Sequence, residues 1–153
     1  MTHMSSRTNL QLHTFIWSKD IPPSKSLLAW RLIRDKIPTT EKLQQRGCQL
    51  SYMCSICSTH VEASFHLFFE CSLSFKLWYW LASILDTNLH FQFVSDICTL
   101  CDRGWSPQCK IVIQASIVNI ISTIWYFRNQ SRFQNKKPHR KLAIKNIIYA
   151  VSL

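Results

Sequence analysis

A mainly helical fold, with a small cluster of three cysteines and one histidine set among the helices and followed by a long helix and a C-terminal helix, is what this sequence predicts. Three observations carry that expectation. Apolar residues recur at helical spacing through most of the chain. Only two glycines, Gly47 and Gly104, occur in 153 residues, too few for a fold built from many tight hairpins or for a glycine-rich phosphate cradle. Cys54, Cys57, His66 and Cys71 stand close together between two helical stretches. Hydrophobic residues make up 47% of the chain, with six Trp and nine Phe, so one real core can form.

The elements follow in order. Pro22-Pro23 mark an extended start, after which Leu27, Leu28, Trp30, Leu32 and Ile33 give a helix of about three turns that Pro38 stops. Thr39 or Thr40 caps a short helix through Leu43 to Arg46, and Gly47 stands where a left-handed C-terminal cap belongs. A helix from about Glu62 to Phe69 carries His66, with Cys71 in the turn after it. Ser72 is the expected N-cap of a helix bearing Leu73, Leu77, Trp78, Leu81 and Leu85, and a shorter helix covers Val94 to Cys101. Ser106-Pro107 opens a helix reaching about Gln134, near 40 Å long at ~1.5 Å per residue. Lys137-Pro138 breaks it, and a last helix runs onward. The most apolar stretch, Ile111 to Phe127, is interrupted by Gln114, Ser116, Asn119, Ser122 and Thr123, which favours a buried helix over a membrane span.

The formal charge is +10, which makes a polyanion the first partner to consider. It is unevenly spread. Residues 1–53 carry eight basic and three acidic side chains, residues 54–104 two basic and five acidic, and residues 105–153 eight basic and none acidic. A polyanion is therefore expected at the ends and not at the acidic centre.

Cys54-x2-Cys57-x8-His66-x4-Cys71 is the sharpest feature. A C-x-x-C turn brings two thiolates to ~2.3 Å of one Zn²⁺, and His66 with Cys71 would close a tetrahedral Cys3His shell. Such a shell has no place for an activated water, so one structural zinc is expected and no catalysis. On a regular helix, residues five apart differ by about 140° in direction, so His66 and Cys71 are not expected to face the ion from one unbroken helix. His60 competes with His66 as third ligand, and His66 is preferred because Leu67-Phe68-Phe69 anchor it to a core. Cys98 and Cys101, with Cys109 beyond, read as core thiols, and Cys48 as a small buried residue. Met1 to His13 is polar and holds no secretory signal, so seven cysteines are expected as reduced thiols or metal ligands in a reducing compartment such as the cytoplasm, and not in a secreted protein.

Trp17, Ile21-Pro22-Pro23, Trp30, Ile37-Pro38-Thr39, Leu43, Arg46-Gly47, Cys54-x-x-Cys57, Glu62, His66-Leu67-Phe68, Cys71 and Trp78 together resemble the zinc-binding domain downstream of the reverse transcriptase in plant non-LTR retrotransposons. Ile124-Trp125, Arg128-Asn129 and Phe133 resemble the segment that commonly links it to an RNase H domain. The resemblance implies metal binding by Cys54, Cys57, His66 and Cys71 and helical packing by Trp30 and Trp78. It also implies a zinc-binding domain over 14–85 and a helical connection segment over 86–153, and, by analogy with the element's life cycle, a nuclear location beside the cytoplasmic one. Neither polymerase nor RNase H parts are present, and the five aspartates are scattered singly, so no enzyme and no small-molecule substrate is expected.

Arg128, Arg132, Lys136, Lys137, Arg140 and Lys141, interleaved with Trp125, Tyr126, Phe127 and Phe133, are the candidate contacts to RNA or DNA, with phosphates on the cations and bases on the rings. The zinc centre, near −1 with three thiolates and flanked by Glu62 and Glu70, is expected to stay out of that contact. The second expectation is a helical interaction fragment, once packed on the missing polymerase or RNase H domains, with an exposed apolar patch and no nucleic-acid binding.

Overall fold

The computed structural model describes Thr14 and residues 16–152. The polar stretch Met1 to His13, which bears on secretion, lies outside them. Among the described residues six α-helices and one wider turn follow one another: α1 Pro23–Ile33, α2 Thr40–Gln45, a π-type turn His66–Glu70, α3 Ser72–Leu85, α4 Asp96–Cys101, α5 Pro107–Gln134 and α6 Arg140–Ser152. No strand forms among the described residues; a single antiparallel bridge joins Met53 and Val61.

The helix ends follow local chemistry. Pro23 takes the first turn of α1, where a missing N–H is harmless. Gly47, at φ +89°, terminates α2 with paired bonds: its N–H donates to Gln44 O at 2.9 Å and the Cys48 N–H to Leu43 O at 3.0 Å. Ser106 caps α5 by accepting the Cys109 N–H. At α3 the cap falls one residue earlier than expected, on Cys71, whose carbonyl accepts the Phe75 N–H at 2.8 Å. Cys48 is exposed, not buried: the surface turn that closes α2 carries it outward.

α5 is the spine of the molecule. Its face Ile113, Ile117, Ile120, Ile121 and Ile124 is buried, and α1, α3, α4, α6 and the π-type turn all pack on it. By length and composition alone α5 could cross a membrane, but half of its most apolar window is covered by the rest of the chain. Lys25 of α1 donates to the Asn119 side chain of α5. After the left-handed Asn135 the chain turns, Pro138 prevents continuation, and α6 folds back with Ala143 and Ile147 buried. Core residues from 14–85 and from 86–153 form one cluster, so the two segments share a single hydrophobic interior.

A second layer of packing fixes the approach to the cysteine cluster. Trp78 on α3 donates its indole N–H to Phe68 O at 2.7 Å, and its ring meets Phe69 and Phe91 at 5.7 and 4.9 Å. Trp30, by contrast, lies at the surface beneath the Arg34 guanidinium.

Candidate metal centre

The C-x-x-C pair sits in a knuckle between the two bridge residues. Cys54 N–H donates to His60 O at 2.8 Å, and Ser58, in the left-handed region, donates back to Cys54 O at 2.8 Å. Together these bonds fold residues 54–60 tightly enough to aim both sulfurs inward.

The other two donors are brought together by a device the sequence reading did not foresee. The helix expected over Glu62–Phe69 starts only at Ser64, and from His66 it widens into a π-type turn in which the Cys71 N–H reaches His66 O at 2.7 Å. In this i to i+5 closure residue 71 lies beneath residue 66, where a regular helix would have rotated it away. His66 and Cys71 therefore do not converge from an unbroken α-helix, as their spacing predicts; the chain brings them together by widening one turn.

The donor atoms of Cys54, Cys57, His66 and Cys71 all lie within 4.8 Å of one another. Cys54 and Cys71 sulfurs are 3.8 Å apart, and Cys57 sulfur is 3.4 Å from His66 Nε2. A tetrahedron with Zn–S near 2.3 Å and Zn–N near 2.0–2.1 Å has edges of ~3.8 Å between sulfurs and ~3.6 Å between sulfur and nitrogen. The donor set therefore fits one Zn²⁺, which when bound supplies a closed structural cross-link with no open position for water. His66 Nδ1 faces Glu70 at 3.8 Å, leaving Nε2 for the ion. His60 is exposed and stacks on the His66 ring at 4.9 Å, outside the donor cluster.

The electrostatics favour thiolates at Cys54 and Cys57. The hydrogen bond from Cys71 pulls the Cys54 thiol down to about 5, against burial. Burial opposes ionisation of Cys57, yet hydrogen bonds from Thr59 and His60 bring it to about 7. Cys71, hydrogen-bonded to Cys54 and buried, is pushed well up and keeps its proton until a cation displaces it. Burial disfavours a charged His66, but hydrogen bonds to the Cys54 and Cys57 sulfurs outweigh it and raise its pKa.

Beneath the knuckle lies the second finding. Glu62 is fully buried, and the Arg128 guanidinium grips its carboxylate through Nη2 at 2.6 Å and Nε at 3.1 and 3.2 Å. Arg132 reaches the same carboxylate at 3.4 Å and Met53 O at 3.3 Å. Glu62 also accepts the Thr40 N–H at 3.1 Å, capping α2 from outside where the Thr39 side chain does not. Burial works against the charge on Glu62, but the Arg128 hydrogen bonds and charge hold its carboxyl below the usual range. Ser131 donates to Ser55 O at 2.7 Å, so a further residue on the same turn of α5 grips the knuckle backbone.

This removes Arg128 and Arg132 from the six residues expected to meet phosphate. Both do share one helix face, as their spacing implies, but that face points inward, and Arg128 also lies 4.6 Å above the Trp125 ring. Phe127 is buried and Tyr126 and Phe133 are exposed, so the neighbouring rings are divided between core and surface. Lys136, Lys137, Arg140 and Lys141 are exposed. The signal that could have exposed the clamp was Glu62 itself, an acid between apolar segments that needs a buried cation.

A family described as zinc-binding in reverse transcriptase matches residues 1–78, half of the chain. The chain belongs to this family. No curated protein and no solved structure matches it. The match to the reverse-transcriptase zinc-binding family ends within α3, yet the buried acid of that domain is neutralised by arginines from α5, beyond the matched residues. The match is to a zinc-binding segment and not to a polymerase catalytic domain.

Cys98 and Cys101 lie buried on α4, where burial pushes both thiols up to about 12. Among the described residues they join no donor cluster. With zinc bound, iodoacetamide at pH 7.5 is expected to modify exposed Cys48 and Cys109 within minutes and to leave Cys98 and Cys101 unmodified. Peptide mass spectrometry over a time course checks this, and early labelling of Cys98 or Cys101 would contradict it.

Proposed function

We propose that the chain is a non-catalytic, zinc-folded module of a retrotransposon-derived protein that binds RNA or DNA without sequence preference. The observation that carries this reading is the cluster of exposed cations at the junction of α5 and α6: Lys136, Lys137, Arg140 and Lys141 form no ion pair among the described residues. Cations without acidic partners are what counterion release from a phosphate backbone requires. The family's tie to reverse transcriptase, an enzyme that handles nucleic acid, points the same way.

The test is a titration of single-stranded and duplex RNA and DNA at several salt concentrations. Wild type is expected to bind with an affinity that falls steeply with salt. Changing Lys136, Lys137, Arg140 and Lys141 together to Ala should weaken binding at least tenfold at low salt and flatten the log–log slope by about 3, at ~0.7–0.9 per phosphate contact. Binding unchanged in that variant would refute the assignment.

One observation favours a second reading. An open cleft of about 690 Å³ is lined by Phe69, Phe75, Trp78, Tyr79 and Phe91, and Phe75 and Tyr79 are 62% and 66% exposed. Such a surface suits a helical scaffold that packed on polymerase or RNase H domains. Zinc-dependent folding with no salt-sensitive nucleic-acid binding would favour it over the first reading.

A further inference from the structure

The cations at the α5–α6 junction do not stand on a flat surface. They form one wall of a cavity of about 430 Å³ whose other walls are the zinc knuckle and the first turn of α3. Four cationic side chains, Lys76, Lys136, Lys137 and Arg140, line it, and no aspartate or glutamate does. Among the described residues four serines line it as well; Ser55 and Ser131 donate to the Arg128 and Ser55 carbonyls, so Ser58 of the knuckle and Ser72 of α3 are the hydroxyls that face it as donors. Cationic nitrogens surrounded by hydroxyl donors are the chemistry that grips a phosphodiester, whose oxygens accept several hydrogen bonds while its charge is neutralised.

Lys76 is the informative member. It lies in the acidic central segment, whose net charge had argued against phosphate near the zinc centre, and it is exposed on α3 facing this cavity. Glu62 is buried and already neutralised by Arg128 and Arg132, and Glu70 lines the neighbouring cavity on the other side of Lys76 and Cys57, not this one. That leaves the loaded centre's own charge near −1 facing four cations.

We infer that this cavity is a phosphate subsite for a nucleic-acid backbone, in which Lys76, Ser58 and Ser72 act with Lys136, Lys137 and Arg140. The inference rests on the nucleic-acid reading above and deepens it: the zinc knuckle holds one wall of the binding site and is not merely a fold anchor.

The test compares zinc-loaded wild type with Lys76→Ala and with Lys110→Ala, an equal charge loss on α5 outside the cavity, using a single-stranded oligothymidylate at several salt concentrations. Zinc content and melting are read for each protein. Lys76→Ala is expected to bind three- to tenfold more weakly, with a slope shallower by about 0.7, while Lys110→Ala matches wild type. Equal binding by Lys76→Ala and wild type, or equal losses in the two variants, would overturn the cavity and leave the general reading standing. Wild type that binds no oligonucleotide at low salt would overturn both.

Discussion

Replacing Glu62 with Gln is expected to lower the stability of the zinc-loaded chain by about 3–5 kcal/mol, because the change leaves Arg128 and Arg132 with buried charge and no countercharge. Few other single changes outside the metal ligands should approach this. Glu62 joins three parts that are distant in sequence: the start of α2 through the Thr40 N–H, the knuckle through its own backbone bond to Tyr52 O, and α5 through the two arginines. Urea denaturation at neutral pH gives the number directly. Arg128→Ala should be nearly as damaging, and the double variant less so than the two singles summed, since the pair is removed together. Strictly additive losses would mean that the contact contributes little.

The same group gives a pH dependence of definite sign. A carboxylate held below its usual pKa contributes stability that is fully present above the unfolded value, near ~4.3, and lost as pH falls through the lower folded value. The groups facing it are the Arg128 and Arg132 guanidinium groups and the Thr40 amide. The stability difference between wild type and Glu62→Gln should therefore be constant from pH 7 to about 5 and shrink below about 4.

The second large effect is loss of the metal. Cys57→Ser, or a strong chelator added to wild type, is expected to abolish cooperative unfolding of residues 52–78, because binding free energies of ~10–16 kcal/mol for structural zinc exceed the whole stability of an ordinary domain. α5 and α6, which bury their own isoleucine face, should keep part of their helicity. Circular dichroism and amide exchange with and without zinc separate the two regions. A chelated chain that melts as sharply as the loaded one would remove the metal from the account of the fold.

Much of this was legible in local signals. Pro22-Pro23, Thr39, Gly47 and Ser106-Pro107 marked helix boundaries because each acts through its own backbone geometry. The Cys3His grouping was legible because tetrahedral zinc demands a fixed number of soft donors at short spacing. The π-type turn at His66 was not, since a widened turn carries no composition signal and follows from the tertiary demand that His66 and Cys71 converge. The inward direction of Arg128 and Arg132 was also hidden. Their charge and spacing describe a face, and only the position of Glu62, far away in sequence, decides whether that face meets solvent or a buried acid. Net charge by segment is blind for the same reason, because it cannot tell a buried acid from an exposed one or show which cations share a cavity. The structure neutralises Glu62 and seats Lys76 beside three other cations.

X-ray absorption at the zinc edge, on protein purified without added metal and quantified per chain, tests the central claim most directly. The account predicts one zinc per chain with three sulfur neighbours near ~2.3 Å and one nitrogen near ~2.0–2.1 Å, with the nitrogen lost in His66→Ala and retained in His60→Ala. Substoichiometric zinc, an oxygen-rich shell, or a nitrogen that follows His60 instead of His66 would contradict it.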